Sequence, residues 1–346
     1  MSVSTHADPL RFTLLFLILV VVAAADLLVG AGSLSDPAMG SAVFHLRLGR
    51  LGAAALAGAA LAVGGVLAQG LLRNPLASPD VIGTTAGASL GAQTALAVLA
   101  AAGLLGNLPS WIGPVLVLPL AALVGGLAAL ALVLVLAKGS ARLGEGLTAV
   151  LVAGFVVNAL AMSGSALITT LNRGDWELGR ALVEFSLGRL ATAGPEHVAL
   201  ALPLVVAGTF AGWAWGRQLD LLQSGEDEAT ALGADPVAVQ RWTLVWIAVL
   251  TTAAVAAGGA VAFVGLVVPH LLRGWIGSGH RRLIPAAALG GASFLVTCDL
   301  LARAIPLLAI SGFGDRSELP LGVVTGLIGA PLFLLLLVRL RRQGEA

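Results

Sequence analysis

Long apolar stretches, separated by short polar connectors, follow one another from Phe12 to Leu340. A helix needs roughly 20 apolar residues to cross the hydrocarbon core of a bilayer. The pattern therefore predicts an all-α, polytopic membrane protein with about ten transmembrane helices, which form a single domain over residues 1–346. The predicted spans are Phe12–Val29, Leu51–Leu72, Val81–Leu105, Ile112–Leu136, Leu147–Leu171, Val198–Trp215, Trp242–Val261, Ala262–Leu272, Leu283–Ala304 and Leu319–Leu340.

Two further features modify this pattern. Gly258 and Gly259 divide a long apolar tract into two pieces, and the second piece is too short to span a bilayer unless it is tilted or partly buried in protein. Between the fifth and sixth spans, the spacing of Leu178, Leu182 and Phe185 predicts a short helix that lies at the surface.

The longest connector, residues 217–240, contains the acidic run Glu226–Glu228. Its sequence predicts a short helix that begins after Ser224 and ends at Gly233, and a second short helix that opens at Pro236. The acidic run is either a solvated helix start, stabilised by the helix dipole, or a contact surface for another protein.

The composition supports a membrane protein and excludes other classes. Of the 346 residues, 58% are hydrophobic and only 11% are charged, whereas soluble domains carry about 25% charged residues. The formal net charge is +1 and no basic face is present, so we expect membrane lipid and not nucleic acid as a partner. Basic residues are more frequent on the side that holds both termini, which predicts that both termini are cytoplasmic.

The sequence offers no means of binding a nucleotide or a bare metal ion. The single cysteine and the five scattered histidines lack the spacing of metal ligands. No phosphate-binding loop is followed by Lys and Ser or Thr. We therefore expect no cofactor, no metal and no catalytic residue in this chain, and any ATP and Mg²⁺ must be bound by another chain.

A mildly polar stripe runs along the fifth span at Asn158, Met162, Ser165 and Thr169. Such a stripe either forms hydrogen bonds between helices or lines a solute path, and spacing alone leaves both alternatives open. Two glycine pairs at a spacing of four residues are typical of close helix packing: Gly87 with Gly91, and Gly322 with Gly326.

Charged residues in or beside the spans are expected to have a structural or functional role, because a charge at the bilayer centre costs about 2.5 to 3.5 kcal/mol on insertion scales. Asp299 precedes Arg303 by one helical turn, which predicts a structural ion pair. The alternative is a proton or sodium relay through Asp299 in an ion-driven secondary transporter. Asp26 lies near a span end and is expected to reach the membrane interface.

Arg47 and Arg50 flank the start of the second span. They either extend to lipid phosphates or bind carboxylates of a docking protein.

Four ordered segments closely resemble the FecCD-type permeases, which import iron-siderophore complexes, haem and cobalamin through ATP-binding cassette machines. The first begins at Arg47 and the others begin at Leu219, Ala262 and Glu318. They read RLGRLGAAALAGAALAVGGVLAQGLLRNPLASPDVIGTTAGASLGA, LDLLQSGEDEATALG, AFVGLVVPHLLR and ELPLGVVTGLIGAPLFLLLL.

The resemblance implies a type II importer permease with ten transmembrane helices, paired with a second permease subunit as a homodimer or close heterodimer. It also implies two ATPase subunits and an extracytoplasmic substrate-binding protein as partners. The fifth and tenth helices would line the translocation path, the connector 217–240 would couple to the ATPases, and three arginines would dock the binding protein. The implied residues are Asn158, Met162, Ser165, Thr169, Thr325 and Gly326 for the path; Glu226, Asp227, Glu228, Ala229, Thr230, Leu232 and Gly233 for coupling; and Arg47, Arg50 and Arg303 for docking.

The function that the resemblance implies is import of a ferric-siderophore chelate across a bacterial inner membrane, with haem or cobalamin as alternatives. Two departures from the family pattern stand out. Gly49 replaces a common proline between the arginines and is expected to give a looser turn, and Ile310–Ser317 forms an extended outer stretch.

Overall fold

The structure is a computed structural model of the chain, and it describes residues 9–29, 40–104, 114–139, 147–188, 190, 193–308 and 318–344. These residues form twelve α-helices and one short 3-10 helix, Pro79–Ile82, with no β-strand among them. The α-helices are α1 (Pro9–Leu28), α2 (Gly40–Leu71), α3 (Thr84–Ala101), α4 (Pro114–Gly139), α5 (Leu147–Leu171), α6 (Trp176–Ser186), α7 (Pro195–Leu222), α8 (Glu226–Ala231), α9 (Pro236–Gly258), α10 (Val264–Ile276), α11 (His280–Leu308) and α12 (Leu321–Gly344).

The predicted class, an all-α membrane protein, is confirmed. Within the described ranges, α1, α2, α4, α5, α7, α9 and α11 are each long and apolar enough to cross a bilayer, while α10 and the first part of α12 are shorter apolar helices. Each of the ten predicted spans overlaps one of these nine helices or α3. The remaining two, α6 and α8, are short helices between spans.

The bundle has two ends, which we name for reference. The terminal face holds the start of α1, the end of α10 and the start of α11, and the guanidinium of Arg11 donates there to the carbonyl of Trp275. The distal face is the opposite end, where α1 ends and where Arg50 contacts Asp299.

Helices α2, α9 and α11 form the centre of the bundle. In the most apolar part of α2, 83% of residues are buried, compared with 11% for α1 and 22% for α5. The central helix α2 packs against α7, α9, α10 and α11, whereas α5 packs mainly against α3 and α4. The exposed surface of the peripheral helices is apolar and suits contact with lipid or with another membrane subunit.

Glycines let the central helices approach closely. Gly58 of α2 and Gly291 of α11 face each other, and a Cβ at either position would overlap the carbonyl oxygen of the other. The predicted packing role of Gly87 and Gly91 is confirmed, because both lie against Gly125 of α4. Small residues at such crossings maximise van der Waals contact between helices in a bilayer, where no hydrophobic effect drives association.

The chain breaks that the sequence predicts are present, with one correction. Helix α9 ends at Gly258 and α10 begins at Val264, so the predicted division of this tract is confirmed. The predicted second short helix at Pro236 is wrong, since Pro236 is the first residue of the long helix α9. The Asp235 carboxylate caps that helix by accepting from Ala238 N at 3.1 Å, and proline is well suited to the first helical position.

Irregular backbone from three parts of the chain meets beside the start of α12. These segments are the end of α6, the connection between α9 and α10, and the first turn of α12. The backbone amides of Leu321, Gly322 and Ala260 donate to the carbonyls of Gly188, Leu187 and Phe185 at 2.8, 2.8 and 3.4 Å. Non-helical backbone within a membrane protein must be satisfied internally in this way.

The contact between Gly58 and Gly291 predicts that neither position tolerates a larger residue. Replacement Gly291→Ala should lower the free energy of unfolding by about 1 to 3 kcal/mol, the usual cost of overpacking, because the carbonyl of Gly58 cannot move away without separating α2 from α11. Thermal melting of the purified protein in detergent measures the change. The matched control is Gly274→Ala in α10, where a Cβ has no heavy atom within 4 Å. Equal melting temperatures for the two variants would contradict this packing argument.

Candidate functional site

A cluster of arginines and carboxylates joins four segments at the distal face. The Arg50 guanidinium binds both oxygens of Asp299, with Nε–Oδ2 at 2.9 Å and Nη2–Oδ1 at 2.8 Å. Its remaining Nη1 donates to Glu318 Oε1 at 3.0 Å. This geometry is a bidentate pair on one side of the guanidinium and a single charge-assisted bond on the other.

Arg303 forms the second half of the cluster. Its Nη2 lies 3.2 Å from Asp299 Oδ2, so the predicted ion pair one turn apart is confirmed. The same Nη2 also binds the carboxylate of Asp26. Asp26 was expected to reach the membrane interface, but it is only 1% exposed and lies against Arg303 inside the bundle. Burial beside an arginine satisfies its charge without access to water.

Arg303 and a third arginine, Arg47, also bind the carbonyl end of α1. Arg47 Nη1 donates to the carbonyl of Leu27 at 2.7 Å, and Arg303 Nη1 donates to the carbonyl of Val29. Helix α1 has no basic residue in its own last turn, so α2 and α11 supply the positive charge that its carbonyl end attracts. Gly49 lies inside the continuous helix α2, so the looser turn expected there is wrong.

Within the cluster, Arg50 and Arg303 bind the carboxylates of Asp26, Asp299 and Glu318, and Arg47 binds backbone carbonyls at the end of α1. Arg47 and Arg303 are 8% and 5% exposed, and their partners lie within the protein. Glu318 is the most accessible carboxylate of the cluster, with 32% of its side chain exposed. Docking through these three arginines stays a prediction, and the second departure from the family pattern, Ile310–Ser317, lies outside the described residues.

The predicted path residues of α5 lie beside its exposed face. Ala153, Val157 and Ala161 are buried against neighbouring helices, whereas Met162 is 61% exposed. The other stripe members, Asn158, Ser165 and Thr169, are half-buried, and Thr169 donates to the carbonyl of Ser165 at 3.0 Å. The stripe therefore borders a surface that is open in a single chain.

The two predicted path residues of α12 differ in their surroundings. Nothing lies within 4 Å of a Cβ placed on Gly326, so this position faces open space. Thr325 is fully buried, and its hydroxyl donates to the carbonyl of Gly322 at 3.2 Å. Gly322, the other member of the predicted glycine pair, packs against the backbone of Leu187. Of the two predicted path residues of α12, Gly326 borders the open side of the helix and Thr325 does not.

The predicted coupling segment is a short helix on the terminal face. Gly225 and Gly233 bracket α8 with positive φ angles of 131° and 85°, as the sequence predicts for its start and stop. Ala229 is fully buried and anchors α8, which packs against α7 and α9. The remaining positions are exposed to solvent: Glu226, Asp227, Glu228, Thr230 and Leu232. The segment is thus a fixed helix with an acidic outer surface.

An interaction that sequence reasoning missed links this segment to the centre of the bundle. Asp220, in the last turn of α7, accepts from the backbone N of His280 at 3.2 Å and lies 2.6 Å from its ring Nδ1. His280 begins α11 and its side chain is fully buried. The two residues lie 60 positions apart, and no local pattern signals that an acid on one helix caps another.

These features define the class of protein: a helical membrane subunit with a surface helix on one face, a buried charge cluster on the other and peripheral helices left open on one side. The chain belongs to the FecCD transport family, whose family model matches residues 10–339. The resemblance of the quoted motifs to this family is thereby confirmed, and the family consists of ABC importer permeases.

Three relatives illustrate the range of permeases to which this chain is similar. The chain is 42% identical to the Fe(3+) dicitrate permease FecD of Escherichia coli, with 86% of each chain covered. It is 37% identical to the hemin permease HmuU of Yersinia pestis, with 96% of each covered. It is also 38% identical to the vitamin B12 permease BtuC of Vibrio vulnificus, over 95% of this chain and 94% of the relative.

A solved structure shares the fold along almost the whole chain. It belongs to a protein described as a metal-chelate type ABC transporter in an inward-facing conformation, with a TM-score of 0.80 and 27% identity. The match covers 96% of this chain and 99% of the other.

The charge cluster predicts a strong dependence on Asp299. Replacement Asp299→Asn should lower the free energy of unfolding by about 3 kcal/mol, the low end for removing one partner of a buried ion pair, since each arginine keeps a second carboxylate. Thermal melting in detergent and the yield of monodisperse protein measure this loss. Glu177→Gln, on the exposed surface of α6, is the matched control and should melt like the wild type. Unchanged melting of Asp299→Asn would show that the pair contributes little.

Proposed function

We propose that this chain is the membrane subunit of an importer that moves a ferric-siderophore chelate into the cytoplasm. The observation that carries the proposal is the match to the FecCD family over residues 10–339 together with the 42% identity to a ferric dicitrate permease. Haem and cobalamin are the alternative substrates, because permeases for both are relatives at 37% and 38% identity.

The chemistry of the open helix faces supports a bulky chelate as substrate. From Leu147 to Leu171 and from Leu321 to Val338, α5 and α12 contain no charged residue. Their polar groups are amide and hydroxyl functions, such as those of Asn158 and Ser165. A chelated ion arrives with its coordination positions already filled and therefore needs a shaped path without metal ligands.

The path lies, in this proposal, between this chain and a second permease subunit. Helix α5 buries only 22% of its apolar part within the chain, and Leu327 of α12 is 70% exposed. Two such subunits, in a homodimer or close heterodimer, would cover these faces and enclose the path. Interfaces in membranes favour the small and mildly polar residues found here, including Gly326 and Ser165.

Transport is driven by two partner ATPases that bind ATP and Mg²⁺ and contact α8 from the cytoplasm. The acidic outer surface and the exposed side chain of Leu232 suit a contact with another protein, and the buried Ala229 transmits force into α7 and α9. Both termini lie on the same cytoplasmic side. On the opposite side, Arg50 binds a carboxylate of an extracytoplasmic binding protein that delivers the chelate.

Substrate and energy source can be tested together. In cells that depend on this permease for siderophore use, uptake of radiolabelled iron as a ferric siderophore should persist with excess haem or cyanocobalamin and should follow cellular ATP. Competition by haem or cobalamin would reassign the substrate. Uptake that collapses with an uncoupler while ATP is maintained would instead favour an ion-driven transporter.

The coupling role predicts a separable defect. Reversal of Glu226 and Glu228 to Lys should lower uptake per ATP hydrolysed about tenfold, within the usual range of coupling free energies. The loss arises because the ATPase surface that contacts acidic side chains in the wild type would face lysines in the variant. Transport and ATP hydrolysis of the reconstituted complex are measured, with membrane abundance checked by immunoblot. Glu177→Lys on the distal face is the control and should leave coupling intact. Normal coupling in the double variant would remove α8 from this role.

A further inference from the structure

The Arg50 guanidinium binds two carboxylates, one buried and one accessible to solvent. Asp299, bound at 2.8 and 2.9 Å, is only 1% exposed and also contacts Arg303. Glu318, bound through Arg50 Nη1 at 3.0 Å, is 32% exposed. Arg50 therefore holds one carboxylate that cannot leave without stranding a buried charge, and one that can exchange with water or with another anion.

Glu318 lies directly before α12, where a small number of bonds hold the start of that helix. Leu319 N donates to the carbonyl of Ala302 at 3.1 Å. The amides of Leu321 and Gly322 donate to carbonyls of the segment after α6, both at 2.8 Å. The buried side chain of Leu321 adds apolar packing to these three backbone bonds, and the ion pair with Arg50 adds a charged contact.

The position of α12 depends on the contacts at its start, because this helix is packed less tightly than the central helices. Its main packing partners are α10 and α11, and it exposes Leu327, Leu334 and Leu335 by 61% or more. A helix with little buried surface moves at lower cost than one in the packed centre. Loss of a single distal contact therefore bears directly on the position of α12.

We propose that Glu318 is an internal competitor at the docking site. It occupies Arg50 Nη1 in the free permease, and an acidic side chain of the binding protein displaces it, which releases the start of α12. This inference rests on the proposed function. The exchange of one carboxylate for another keeps a charge-assisted bond on Arg50 throughout, so displacement leaves no unpaired guanidinium.

The other two arginines are poorly placed for the same exchange. Arg303 binds Asp26 and Asp299, both 1% exposed, and Arg47 donates to carbonyls at the end of α1. An incoming carboxylate at either position would leave a buried acid or the end of a helix without its partner. At Arg50, by contrast, the displaced group is already in contact with solvent.

Hydrogen exchange on the full chain in lipid nanodiscs tests the attachment without any partner. In Glu318→Gln, exchange at the amides of Leu319, Leu321 and Gly322 should be about two- to fivefold faster, the scale of a partly exposed ion pair. Glu177→Gln should leave these rates unchanged, and Glu318→Asp, which keeps the charge, should give an intermediate rate. Equal rates in wild type and Glu318→Gln would overturn the proposal.

Docking of the extracytoplasmic binding protein of the proposed transporter tests the competition. Glu318→Gln should bind it about two- to fivefold more tightly than wild type, because the competitor is gone, and docking on wild type should accelerate exchange at the same amides. Weaker or equal binding of Glu318→Gln, or protection of those amides on docking, overturns the proposal. Failure of the wild-type permease to bind at all would instead reject the docking function on which the proposal depends.

Discussion

A charge buried inside a membrane protein needs an opposite charge or a polar partner beside it, and this constraint shapes the distal end of the bundle. Arg50 on α2 and Arg303 on α11 share Asp299, and Arg303 also binds Asp26 at the end of α1. Because each arginine contacts more than one acceptor, α1, α2 and α11 cannot separate there without exposing charges to low dielectric. Helix α1 buries little apolar surface and packs mainly against α11, so these contacts help to fix its end.

The charge cluster and the glycine crossings divide the subunit into two kinds of helix. Contact between Gly58 and Gly291 brings α2 and α11 to the closest approach that backbones allow, and such packed centres resist small displacements. Helices α5 and α12 lie outside this centre and keep one face open. In the proposed function, the path that must change shape lies along these outer helices, and the packed centre is its support.

Sequence predicts well whatever depends on local composition. Apolar length gave the spans, and Gly233 and Gly258 gave helix ends, because these signals act within one or two turns of chain. Contacts between distant residues have no such signal: Arg50 and Asp299 lie 249 positions apart. Pro236 was misjudged because a proline that opens a short helix and one that opens a long helix look alike in sequence. The length of the apolar stretch after the proline distinguishes the two cases, and here that stretch forms the rest of α9.

Helix α11 extends from the terminal face to the distal face as one continuous helix. Its 29 residues extend over about 43 Å at 1.5 Å per residue. At the terminal face His280 is bonded to Asp220, in the last turn of the helix that leads into α8. Asp299 and Arg303, 19 and 23 residues after His280, belong to the distal charge cluster. A displacement of α8 that moves the end of α7 must either break the Asp220 contact or move α11. Movement of α11 carries Asp299 with it, and therefore also the guanidinium of Arg50 and the attachment of Glu318. The two faces are thus connected by a continuous series of hydrogen bonds and one helix, with no contribution required from the open faces of α5 or α12.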